Sequence, residues 1–188
     1  MTDPEVTNPM NIGDNTLASK DSSAAGDAFR EMVARHPFLE SERTLEEFID
    51  AWERGTLPKK SWTHGAHVGV AAYFAYEYPA EVLVRVMRLG IRHYNLASGG
   101  ANTADNGYHE TLTRFWASEV GNLVRSGRFG SRLEAARAAL ARFGECSGHF
   151  RKFYNFDVLG NRRARREWVA PDGGVNEGSI PHQLRETL

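Results

Sequence analysis

Three histidines stand where a helical protein ordinarily places leucines. His64 and His67 open the run Trp62-Thr-His-Gly-Ala-His-Val-Gly-Val-Ala-Ala-Tyr-Phe, and His109 opens Tyr108-His-Glu-Thr-Leu-Thr-Arg-Phe-Trp. An imidazole aimed into a core is costly unless it is hydrogen bonded. It is also what a transition metal needs. On a helix starting near Trp62, His64 and His67 lie roughly 60° apart on adjacent turns of one face. Ala71 and Ala75 follow them along that face and leave volume beside the rings. His109 falls in line with Leu112, Trp116, Val120 and Leu123, at the centre of an apolar stripe.

Two histidines three apart on one helix and a third from another supply three neutral nitrogens to one divalent ion. A coordination position then stays open, as in catalytic metal sites. Spacing does not choose among zinc, iron, nickel and copper, which imidazole suits alike. His93 lies on the shoulder of a second helix and is the candidate fourth ligand, ahead of Asn95. Glu110, about 100° round from His109, reaches such an ion only from the flank. With Tyr108 it is the candidate to assist proton transfer from metal-activated water. Thr113 and Tyr78 are further candidates to touch the substrate.

The expected activity is therefore a metal-dependent, hydrolase-like reaction on a small polar substrate. Oxygen chemistry at iron or copper is the rival enzymatic reading. A third reading is not enzymatic: a small-molecule-binding or interaction module whose histidines serve a buried hydrogen-bond network, with Tyr73, Tyr76 and Tyr78 as partners. His36 and His182 lie in or near the ends and read as solvated. His149 stands apart, among Phe150, Arg151 and Lys152.

The elements that must carry these side chains read as helices. Period-2 alternation is absent, and three long helices are expected at 62–78, 79–97 and 108–126. Pro79 suits the first turn of the second, which makes a tight hairpin of the first two. In that second helix Glu81, Arg85, Arg88 and Arg92 form one narrow polar stripe, so most of it should be buried. Thr44 with Glu47, and Ser131 with Glu134, have capping-box spacing, while Gly55 and Gly144 fall where helices stop. The fold class is an all-α, single-domain helical bundle over 25–170. A disordered arm, 1–24, precedes it, and a flexible tail, 171–188, follows.

One connection is long. Ser98-Gly-Gly-Ala-Asn-Thr-Ala-Asp-Asn-Gly107 leads straight into His109, without the Gly-Lys-Ser/Thr ending of a phosphate loop. It reads as a lid over a site or as a linker.

Composition narrows the partners. At 188 residues, with 23 Lys+Arg against 24 Asp+Glu, the chain has no global field that favours nucleic acid. One cysteine, Cys146, excludes an internal disulfide and a thiolate zinc cluster. No basic-then-apolar leader and no run of roughly 18 apolar residues is present, so a cytoplasmic address without membrane contact is expected. Arg151, Lys152, Arg162, Arg163, Arg165 and Arg166 cluster around Phe153, Tyr154, Phe156 and Trp168. Such interleaving can bind a nucleic-acid strand, but an anionic small-molecule substrate or an acidic partner surface uses the same arginines more economically. Homodimer formation is left open.

Trp62-x-His64-x-x-His67, Gly90-Ile-Arg-His-Tyr-Asn95, Gly107-Tyr-His-Glu-Thr-x-Thr113-x-Phe-Trp116 and Ala164-Arg-Arg-Glu-Trp-Val-Ala-Pro-Asp172 together form a pattern over roughly residues 44 to 172. It resembles that of a group of small bacterial helical proteins, and the resemblance implies no particular activity. The layout is also similar to that of DinB-type bundles, which hold an ion with three histidines, although the motif order differs.

Overall fold

A computed structural model describes residues 16–173, with side chains from Gly26 onward. Residues 1–15 of the expected arm, positions 174–188 of the expected tail and His182 lie outside the described residues. The chain is an all-α bundle, with seven α-helices and no strand among the described residues. The helices are α1 (Thr16–Arg35), α2 (Glu42–Glu53), α3 (His64–Ala75), α4 (Ala80–Ala97), α5 (Glu110–Ser126), α6 (Arg132–Phe143) and the short α7 (Arg162–Arg166). Helix α1 begins at Thr16, inside the segment read as an arm. None of the helices is long and apolar enough to cross a membrane.

Local chemistry sets the boundaries. Ser41, not Thr44, caps α2: its hydroxyl accepts from the Thr44 N–H while the Thr44 hydroxyl accepts from the Ser41 N–H. The box is thus closed by a second hydroxyl residue, three positions earlier than a glutamate-based signature indicates. Ser131 caps α6 as its spacing predicts, accepting from Glu134 N–H. Gly55 follows the end of α2 in a left-handed conformation, φ 71°, which costs glycine little.

The central helix is α3. It packs against α6, α5 and α4, and Gly65, Ala66, Val68, Gly69, Val70, Ala71 and Ala72 are all buried. A helix apolar on every side belongs in the middle of a bundle, and its small residues let neighbours approach from several directions. This corrects the expectation for α4, which buries only Leu83, Met87, Ile91 and Tyr94. Leu89 and Leu96 of α4 are 62% and 61% exposed. The segment after α6 forms a second apolar cluster on α5 from Phe115, Phe150, Phe153, Tyr154, Val158 and Ala164. Trp116 packs against both clusters. Of the aromatic residues interleaved with arginines, Phe153 and Tyr154 are therefore core and not free to stack on bases, while Phe156 and Trp168 are half-buried against them.

Gly90 lies mid-helix because Trp52 crosses there: a Cβ would stand 2.0 Å from the indole ring. Overpacking of this kind costs about 1–3 kcal/mol, against about 1 kcal/mol of helix propensity gained by alanine. Gly90→Ala is expected to lower Tm by about 2–4 °C for each kcal/mol lost. A thermal melt with unchanged or raised Tm would show that the α2–α4 contact is looser than described.

Candidate functional site

A cavity of about 480 Å³ opens between α3, α4, α5 and the segment after α6. His64, His67 and His109 all line it, together with Tyr108 and Thr113. The two helices thus bring the three imidazoles to one place, as the spacing predicts. What each ring nitrogen meets decides the chemistry.

His67, one turn into α3, donates from Nδ1 to the Thr63 carbonyl at 2.7 Å. Its ring lies 3.8 Å from that of Trp62, centroid to centroid. Nε2 is left without a protein partner among the described residues. Burial is the main cause that pushes its pKa down to about 4, so the ring is neutral near pH 7. His64 donates from Nε2 to the Phe143 carbonyl at 3.0 Å, at the end of α6, and sits edge-on to Trp116 at 4.7 Å. Its pKa is also lowered by burial. His64 keeps Nδ1 uncommitted.

His109 is different. It is the N-cap of α5, not a residue within the helix, and its Nδ1 accepts from Leu112 N–H at 3.3 Å. Its Nε2 donates to the Val158 carbonyl at 2.9 Å. Both nitrogens of this 7%-exposed side chain hold backbone partners, so neither offers a lone pair to an ion. Among the described residues no three His, Cys, Asp or Glu side chains form a group able to hold one ion.

The remaining candidates separate. His93 is exposed on α4, with its Nε2 near Gly55, and does not line the cavity. The shoulder of a half-exposed helix faces solvent, and the expected fourth ligand is corrected accordingly. Asn95 donates to Asn102 Oδ1 at 2.8 Å, in the loop. Tyr78 is exposed and away from the cavity. Glu110 is buried but turned from the cavity into an ion pair with Arg88. Arg88 Nε donates to Oε2 at 3.0 Å, Nη2 donates to Oε1, and Tyr108 OH donates to Oε2 at 2.7 Å. Burial alone would raise its pKa. The hydrogen bonds from Arg88 and Tyr108, with the Arg88 and Arg114 charges, outweigh that and hold the carboxyl below its ordinary value. Burial, then Glu110, raises the Tyr108 phenol. Tyr108 and Glu110 therefore brace the start of α5, and neither is poised to move a proton.

The long loop is a fastened wall. Asn102 Oδ1 accepts from Asn95 and from Tyr108 N–H, and its amide donates to the Arg92 carbonyl at 2.9 Å. Arg162 grips Asp105 at 2.6 and 3.0 Å, and Arg165 donates to the Gly107 carbonyl at 3.1 Å. Gly107 turns at φ 81°, where a Cβ would meet the Ala101 carbonyl oxygen at 1.9 Å. The arginines of α7 are thus largely occupied within the fold. Sequence reasoning missed the segment around residues 147–151 as a cavity wall and left His149 isolated. His149 in fact pairs with Glu119 at 3.3 Å in an aromatic surround that includes Phe115 and Phe153. His36 is also placed differently from expectation: its side chain is 12% exposed and packs on Gly65.

Comparison with known proteins gives no match to a protein family, a curated protein or a solved structure.

The His67 shift gives stability a definite pH dependence. Its folded pKa is depressed, so the folded chain resists a proton that the unfolded chain accepts. The contribution is complete above about pH 6.5 and is lost as pH falls toward about 4. It amounts to at most about 3 kcal/mol. His36, His64 and His109 shift in the same direction. Thermal melts from pH 7 to 4.5 should show a falling Tm, with a shallower slope in His67→Gln, which has no titrating group there. Equal slopes in the two proteins would mean that His67 is not desolvated in the folded state.

Proposed function

We propose that this chain binds a small molecule in the cavity between α3, α4 and α5, with the histidines acting as neutral hydrogen-bonding groups. The carrying observation is the use of both His109 nitrogens by the backbone beside a cavity of about 480 Å³. That volume lies in the range of small-molecule sites, and the mixture of apolar wall with a few polar groups is typical of them. Ala71, Met87, Ile91, Leu112 and Trp116 supply the apolar wall. His67 Nε2 and the hydroxyls of Thr113 and Ser147 supply polar contacts. With a pKa near 4, His67 is a hydrogen-bond acceptor and a poor general base near neutrality, because efficient bases titrate near the working pH. Binding is therefore favoured over acid–base catalysis.

A second reading keeps a metal and hydrolase-like chemistry. It is supported by His64 and His67, which line one cavity and each keep one uncommitted nitrogen. Two imidazoles fall short of the three protein ligands usual for a catalytic ion, and His109, His93 and Glu110 do not fit as the third.

Titration with the neutral fluorescent dye N-phenyl-1-naphthylamine separates the two readings. One site per chain is expected, unchanged after dialysis against EDTA and lost in Thr113→Phe, which fills the cavity. Dye uptake that needs a divalent ion contradicts the binding reading, as does uptake unaffected by Thr113→Phe. Near-stoichiometric zinc, iron, nickel or copper retained by the desalted protein and lost in His67→Ala would establish the metal instead.

A further inference from the structure

Charge around the cavity is one-sided. Among the described residues no Asp or Glu lines it, and its three imidazoles are shifted toward the neutral form. Arg151 is the one formal charge among the described residues that line it. The guanidinium is exposed and lies 5.2 Å from the Phe150 ring centroid, and it has no carboxylate partner among the described residues. Three arginines of α7 behave otherwise. Arg162 pairs with Asp105, Arg163 with Glu167, and Arg165 donates to the carbonyls of Gly107, Tyr108 and Leu159.

Three acids of the surrounding elements also have partners of their own. Glu110 is held by Arg88, Glu119 by His149, and Glu145 by Arg35. An unpaired arginine at the opening of an otherwise uncharged cavity selects by sign, since an anionic ligand gains a partner and a cationic one meets repulsion. The planar guanidinium suits a two-oxygen acceptor in particular. Behind it, Trp116, Phe150, Leu112 and Ile91 offer apolar surface for a body of ring size.

We propose that the ligand of this cavity is a small organic acid, an apolar body carrying one carboxylate or sulfonate that pairs with Arg151. The proposal rests on the reading of the cavity as a small-molecule site, and it adds the chemical class of the occupant.

Two dyes that differ by one group test it. 8-Anilinonaphthalene-1-sulfonate carries the sulfonate that N-phenyl-1-naphthylamine lacks. The sulfonate dye should bind the full chain about tenfold or more tightly than the neutral dye, the scale of a hydrogen bond to a charged group. Its affinity should fall as salt is raised, while that of the neutral dye stays constant. Arg151→Gln should remove the preference, read as the ratio of the two dyes' affinities in the same protein, and Arg151→Lys should restore part of it. Because Arg151 is exposed, neither variant is expected to alter the melt, which serves as the folding control. Equal affinities in the unaltered protein, or a preference that survives Arg151→Gln, would overturn the organic-acid proposal while the cavity reading stands. If neither dye binds at one site, both fall together.

Discussion

An imidazole taken out of water must stay neutral and must find an acceptor for its one N–H. Three rings, His109 buried and His64 and His67 half-buried, are gathered here, and the acceptors they find are backbone carbonyls. His64 reaches Phe143 at the end of α6, His109 reaches Val158, and His67 turns back to Thr63. Two of these bonds join segments 79 and 49 residues apart in the chain. They tie α3 to α6, and the start of α5 to the segment beyond α6, and those attachments bound the cavity. The histidines are thus fasteners first. Whatever chemistry the cavity performs must use the nitrogens that fastening leaves over.

The rest of the wall follows from the same need to satisfy polar groups away from water. The chain before α5 is glycine-rich, yet Asn102 supplies a carboxamide that satisfies three partners at once. Arg162 and Arg165 close it from the other side. The buried Glu110 is acceptable because Arg88 and Tyr108 together occupy its oxygens. Breaking one partner of such a pair leaves an uncompensated charge, so this cluster fixes Tyr108 at the cavity edge. One consequence is electrostatic: with the carboxylates neutralised elsewhere, Arg151 sets the sign of the opening.

Much of this was legible in the residues alone. Helical spacing placed His64 and His67 on one face and set His109 opposite, and the rings do line one cavity. The limit was atomic. Periodicity says which way a side chain points, but not which nitrogen meets which group, and so it could not distinguish a ligand from a cap. His109 occupies the N-cap, a position that continues the apolar stripe of α5 while its ring closes on Leu112 N–H. Helix α4 is less buried than its spacing implies because its apolar content exceeds what its neighbours cover. Small residues made α3 the centre instead. The Arg88–Glu110 pair and the wall around 147–151 arise from tertiary pairing, for which local spacing carries no signal.

The most direct test is a long-range 1H–15N correlation spectrum of the histidine side chains at pH 7. The expected result is three neutral rings, with the proton on Nε2 in His64 and His109 and on Nδ1 in His67. Metal-shifted nitrogen signals shared by the three rings, or a His109 ring without a proton on Nε2, would contradict the fastening role and return the site to metal chemistry.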